Sequence, residues 1–383
     1  MGDPIYLDFN ATTPVAPEVL AAMLPALRDR WGNPSSIHAY GRAARRALED
    51  ARREVAGLLG CDPDEIIFTS GGTESDNAAI VGIAEALERR GKHLVISNVE
   101  HAAVEESCRR LEARGFAVTR VPVDTRGCVD PAAFEQAFRP DTVLVSLMHA
   151  QNETGVLQPV AEVAGLARAR GIVVHSDAAQ SVGKVPVRVP DLGVDALTVA
   201  GHKLYAPKGV GALFLRRGTP FVPYLRGAGH EAGRRSGTES VPLAVALGAA
   251  CALASREIQS RTAHLRSMRD RLESGLRARF SDLVVHGAGA ERLPNTAHVA
   301  LPGVDANALL ARLDGVAAAA GAACHAGGAT PSRVLLAMGV APDLALCTLR
   351  LTVGRPTRGE DVDAAVEQIA GEARRLSRLE YGP

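Results

Sequence analysis

The stretch GIVVHSDAAQ, residues 171–180, decides the fold. Ile172, Val173 and Val174 run on without polar alternation, and the segment ends in Asp177 with Gln180 three residues beyond. A continuous apolar run of this kind belongs to a strand covered on both faces. EIIFTS (65–70), HLVISN (93–98), TVLVSLM (142–148) and DALTVAG (195–201) repeat the pattern. Helical stretches lie between them, such as ESDNAAIVGIAEALERRG (74–91) and PVAEVAGLARARG (159–171), each closing on a glycine. The alternation predicts an α/β layered domain with a mostly parallel sheet.

After Ser255 the pattern changes to a long arginine-rich amphipathic helix (255–280), weaker strands, and a final amphipathic helix over 358–380. The expected division is a large α/β domain over 15–255. A smaller α+β domain takes 1–14 and 256–383 and carries the small-residue stretch VAAAAGAACHAGGATPSR (316–333).

Composition narrows the function classes. The 383 residues are 46% apolar and 22% charged, the balance of a globular protein. Forty-three basic residues offset forty-three acidic ones, so no net field favours nucleic acid or an anionic membrane. The longest apolar run, VPLAVALGAACALA (241–254), is shorter than the roughly 18 residues a membrane span needs. MGDPIYLDFN does not read as a signal peptide, and six scattered cysteines without a CxxC pair argue against a disulfide framework or a zinc site. The expected location is the cytoplasm, with no metal.

Ligands of covered α/β sheets bind beyond the carboxyl ends of the strands, and the polar residues gather there. FTSGGTESDN passes from a strand through Gly71, Gly72 and Thr73 into a helix, a turn that suits a phosphate or an ordinary cap by Thr73. Asp177 ends one strand, and a buried carboxylate there needs a partner. His202-Lys203 follows another, and a desolvated lysine can form a Schiff base. Phosphate turn, carboxylate and lysine are together what pyridoxal 5′-phosphate requires. His101 follows a third strand, placed either as a structural group or to stack on a ring and move protons. In CTLRLTVGR the period of two puts Arg350 on a polar face with Thr348 and Thr352, for a carboxylate clamp or equally a structural ion pair.

Taken with YLDFNATTPVAPEV, WGNPSSIHAYGR, QNETGVLQP, SDAAQSVGK, GHKLYAPKGVGAL, RRSGTES and LRLTVGRPT, these segments resemble, nearly end to end, the cysteine desulfurases and the related selenocysteine lyases. Both are pyridoxal 5′-phosphate enzymes of the class V aminotransferase group. The resemblance implies the fold type I of such transferases, with Lys203 as the imine lysine and Asp177 at the pyridine nitrogen. Gln180 would meet the ring hydroxyl and His101 the ring face. Gly72, Thr73 and His202 would hold the phosphate, and Asn152 and Arg350 the substrate carboxylate with Asn10 nearby. Thr238 would reach the neighbouring subunit's phosphate in a homodimer.

Cys324 matches the mobile-loop cysteine that takes the substrate's sulfur as a persulfide and passes it to an acceptor protein. The substrate would be L-cysteine or L-selenocysteine, converted to L-alanine. An ordinary transaminase and a non-catalytic scaffold are the remaining readings. Ala200 stands where desulfurases often carry serine, and His325 where many carry serine or threonine; an AACH loop is similar to selenocysteine lyases.

Overall fold

The computed structural model describes residues 3–380 apart from 322, 326 and 327, with side chains described outside 322–329 and 377–380. β1 (Ile5–Tyr6), α1 (Pro17–Arg28) and α2 (Ala39–Leu59) lead into the alternation. It runs β2 (Ile66–Thr69), α3 (Gly72–Ala86), β3 (His93–Ser97), α4 (Ala102–Glu112), β4 (Ala117–Val121), α5 (Pro131–Ala137), β5 (Thr142–Ser146) and α6 (Val160–Ala169). It continues with β6 (Val173–Asp177), α7 (Val189–Leu192), β7 (Ala196–Ala200) and β8 (Gly211–Leu215).

β2 to β8 form one sheet in the order β2-β8-β7-β6-β5-β3-β4. β8 runs antiparallel to both neighbours and the other pairings are parallel. Every residue of β2, β3, β5, β7 and β8 is buried, which explains their unbroken apolar sequences. Val95, Val145, Val174 and Phe214 fill the core on one face. Leu94, Ile96, Leu144 and Leu213 fill the other.

The second half comprises α8 (Val241–Arg277), β9 (Val284–Val285), β10 (Thr296–Ala300), α9 (Ala306–Leu310), β11 (Val316–Ala317), β12 (Ala319–Ala320), β13 (Ala323–His325) and β14 (Gly328–Thr330). α10 (Arg333–Ala337), α11 (Pro342–Leu346), β15 (Thr348–Thr352) and α12 (Gly359–Glu380) complete it. An antiparallel sheet, β12-β15-β10-β9, shares a core with α8 and α12 through Leu265, Leu272, Val299, Leu351 and Ile369. Leu7 joins that core from the N-terminal segment, where β1 pairs in parallel with β11.

One helix departs from the reading of the sequence. The apolar run 241–254 and the arginine-rich run after it form one continuous helix, α8, so residue 255 lies inside it. By length and composition α8 is long and apolar enough to cross a membrane, but half of its apolar window is buried in the fold. Ala244, Leu247, Ala250 and Ala254 share the core with Leu48, Ala51 and Val55 of α2. The two helices approach so closely that a Cβ at Gly248 would sit 2.7 Å from the Ala51 Cα.

Candidate active site

The carboxyl ends of β6 and β7, the start of α3 and the polar face of β15 meet around a cavity of about 310 Å³. Asn10, Gly72, Thr73, His101, Asn152, Asp177, Gln180, His202, Lys203 and Arg350 all line it, together with Asp76 and Ala200. Thr238 does not. It lines a separate cavity of about 170 Å³ with Phe68, Gly209 and Arg235. Cys324 lies on β13, paired with Ala329 of β14, and its side chain and that of His325 lie outside the described residues.

At the phosphate end, Thr73 is not a cap. The cap position of α3 belongs to Gly71, at φ +152 and ψ −174, and it supplies no side-chain cap to the N–H groups of the first turn. A helix start without a side-chain cap leaves backbone N–H groups for an anion, with the positive end of the helix dipole behind them. A Cβ at Gly72 would reach within 3.4 Å of the Ala200 Cβ, so the residues at 72 and 200 together keep this end open. His202 points one ring nitrogen at the Thr12 hydroxyl, 3.1 Å away. Burial, then the charge of Lys203, holds its pKa below the ordinary value.

The middle of the site concentrates unpaired charge. Lys203 ends a turn that follows β7, and among the described residues its ammonium has no hydrogen-bond or ion-pair partner. Burial lowers its pKa, opposed in part by Asp177. Asp177 accepts the Ala179 N–H at 2.8 Å and is otherwise turned to the cavity. Asp76, from the first half of α3, is buried; its Oδ1 has no hydrogen-bond partner, with His175 Nε2 3.6 Å away, and Thr198 bonds to the carboxyl. Burial and the neighbouring Asp177 carboxylate push Asp76 well above the usual carboxylate range. Ligand atoms of Asp76, His101 and Asp177 lie within 4.8 Å of one another, a spacing that could hold a cation as well as a protonated ring nitrogen.

His101 caps α4, its Nδ1 accepting the Ala103 N–H at 3.1 Å. A neutral imidazole so bonded carries its proton on Nε2. Burial keeps its pKa below the ordinary value. Beside it, Glu100 accepts from the Ser97 hydroxyl at 2.6 Å and the Met148 N–H at 3.0 Å. Burial raises Glu100 to about 8.

Arg350 is an ion pair and a cavity residue at once. Its Nη2 donates to Asp8 Oδ1 at 2.8 Å and Nη1 to the Asn152 carbonyl at 3.3 Å, while its buried Nε has no partner. Donor capacity therefore remains for a carboxylate. Asn10 hydrogen-bonds Thr296 Oγ1 at 2.9 Å and the Asn152 carbonyl at 3.3 Å, tying this half together. Asp8, Asp76 and Glu100 were not singled out from the sequence. Their signal was their place inside YLDFN, TESDN and VEH.

A larger groove of about 900 Å³ between α2 and residues 228–239 lacks this character. Its most buried charges, Arg52 and Glu231, are paired with each other through two contacts of 2.7 Å.

Known proteins carry the same arrangement of chain. Residues 5–365 match the family described as aminotransferase class-V. The cysteine desulfurase IscS of Dictyoglomus turgidum is 44% identical over 95% of this chain and 93% of its own. A solved NifS-like protein superposes with a TM-score of 0.91 at 36% identity, covering 97% of this chain and all of that one. A solved structure of SspA in complex with cysteine gives 0.81 at 33% identity, over 91% of this chain and 98% of that one.

Proposed function

This chain belongs to the class V aminotransferase family and, within it, to the cysteine desulfurases, and from that premise we propose that it releases L-alanine from L-cysteine and passes the sulfur on. The observation that carries the reading is the cavity itself, with a partly buried, unpartnered Lys203 between two carboxylates and an uncapped helix start. Pyridoxal 5′-phosphate fits this donor set: the start of α3, Thr73 and His202 for its phosphate, Asp177 for its ring nitrogen, Gln180 for its ring hydroxyl, His101 for its ring face. When bound, the cofactor supplies an electron sink for the bonds broken at the substrate.

The chain's own groups do the rest. Desolvation favours the neutral amine of Lys203, the form that can attack a carbonyl carbon or accept a proton. His101 offers a proton on Nε2 in its neutral form. The remaining N–H groups of Arg350, with Asn152 and Asn10, bind the substrate carboxylate and orient it. Cys324 takes the substrate sulfur as a persulfide and delivers it to an acceptor protein.

A homodimer completes the site, with Thr238 of a second copy closing the phosphate end. Two features support it. Thr238 does not line its own chain's Lys203 cavity, and Leu20, Leu24, Leu27, Trp31, Ile37 and Tyr40 form exposed apolar surface. The free state of the five described cysteines supports a reducing, cytoplasmic location.

The test measures alanine from L-cysteine and L-selenocysteine with the native protein, Lys203→Ala and Cys324→Ala. Lys203→Ala should lose both reactions by at least about 10³-fold. Cys324→Ala should lose the cysteine reaction first. A native protein that consumes only selenocysteine would make the chain a lyase.

A further inference from the structure

Lys184 lies beside the site without lining the cavity. It is buried, 6% exposed, and its Nζ bridges two side-chain oxygens, Asn10 Oδ1 and Gln180 Oε1, each at 2.8 Å. Both of those amides line the cavity. Among the described residues no carboxylate pairs with it, and the cations facing it are Lys203 and Arg350. Burial, with these two charges, drives its pKa well below the ordinary lysine value. The geometry makes Nζ a donor to both oxygens at once.

The consequence falls on Gln180. Its Nε2 donates to the Asn10 backbone carbonyl at 3.0 Å, and a carbonyl can only accept. With Oε1 held by Lys184, the amide cannot turn over without facing oxygen to oxygen and losing both bonds. One N–H of Nε2 is left, on a residue that lines the cavity. The same amine also fixes Asn10, whose Oδ1 takes a second bond from Asn295 Nδ2 at 2.9 Å.

We propose that Lys184 is a positioning residue for the reaction: by bridging Gln180 and Asn10 it holds the Gln180 amide with an N–H, never its oxygen, toward the cavity. This rests on the cofactor reading above. A donor there would stabilise an ionised ring oxygen of bound pyridoxal 5′-phosphate, so losing it would raise the pH at which the bound cofactor titrates.

The experiment titrates the visible band of the protein saturated with pyridoxal 5′-phosphate, for native protein, Gln180→Leu, Lys184→Met and the double variant. Gln180→Leu should raise the pH midpoint by about one unit, the worth of a hydrogen bond to a charged group. Lys184→Met should raise it by a smaller amount, and the double variant should match Gln180→Leu alone. An unchanged midpoint in Lys184→Met overturns the proposal. So does a shift that adds in full to that of Gln180→Leu, because Lys184 would then act through its charge and not through the amide. Should Lys184→Met fail to fold, Lys184→Gln keeps a polar group at the site and should shift the midpoint in the same direction. No visible band in the native protein would take down the cofactor reading, and this proposal with it.

Discussion

Two buried carboxylates near the same sheet have opposite surroundings. Glu231 meets Arg52 through two bonds of 2.7 Å, accepts the Phe68 N–H at 2.9 Å, and lies in a segment where Glu231 and Ala232 hold φ of 49 and 56. Asp76 faces the Asp177 carboxylate with no cation paired to it among the described residues, only Thr198 and a buried His175 whose Nε2 lies 3.6 Å from an Oδ1 that lacks a hydrogen bond. Burial alone does not separate them. What does is completion: the first carboxylate is fully answered and fastens a strained turn, whereas the second is left for something the cavity is built to receive. The larger groove surrounds the answered pair and the smaller cavity the unanswered one. Cavity size is therefore a poorer guide to the site than unmet polar demand.

The largest effect that follows is on stability. Glu231→Ala leaves the Arg52 guanidinium with only Glu49 and the Ile66 carbonyl and strips the Phe68 N–H of its acceptor, and the loss should be about 3 kcal/mol. Denaturant midpoints against native protein check it, and a loss below about 1 kcal/mol would erase the contrast with Asp76. Asp76→Asn should behave the other way. Burial and Asp177 push the Asp76 carboxyl well above the usual carboxylate range, so the amide replaces a group whose charge the site opposes, at a cost below about 1 kcal/mol. The native acid binds a proton that the unfolded chain has lost, so its contribution to stability falls as pH rises above the ordinary carboxylate range. Asp76→Asn should gain on the native protein across that rise. Thermal unfolding at pH 5 and pH 8 would show it.

How much of this was legible in the sequence depended on how far apart the partners lie. β2, β3, β5, β6 and β7 were readable because burial on both faces removes alternation. β4, AVTRV, was not: it is a half-buried edge strand whose Thr119 and Arg120 imitate a loop. β8 hid behind the glycine-rich turn before it. Ten of the expected site residues meet in one cavity because they follow strand ends or sit on one strand face, both of which local patterning reveals. Asp8 is different. It reaches Arg350 only because residue 8 bridges to Thr352, far along the chain. Lys184 reads as a surface lysine and Asp76 as a solvated helix residue until the fold buries them.

Glu100 stands between the two carboxylates and gives the sharpest test. Neutral donors, Ser97 and Met148, answer it, but among the described residues no cation does: Arg333 donates to its backbone carbonyl at 2.6 Å and not to its carboxylate. Burial without a counter-charge lifts its pKa from 4.5 to about 8. The native state therefore holds a proton that the unfolded chain releases near pH 4.5, and the associated stability is full below that point and lost as pH rises to about 8. Glu100→Gln keeps an acceptor for both donors and removes the titration. Chemical denaturation at pH 5 and pH 8.5 should show native protein losing at least about 1 kcal/mol more than the variant over that interval. A native protein as flat as the variant would mean that a cation answers Glu100 after all, and would move it to the side of Glu231.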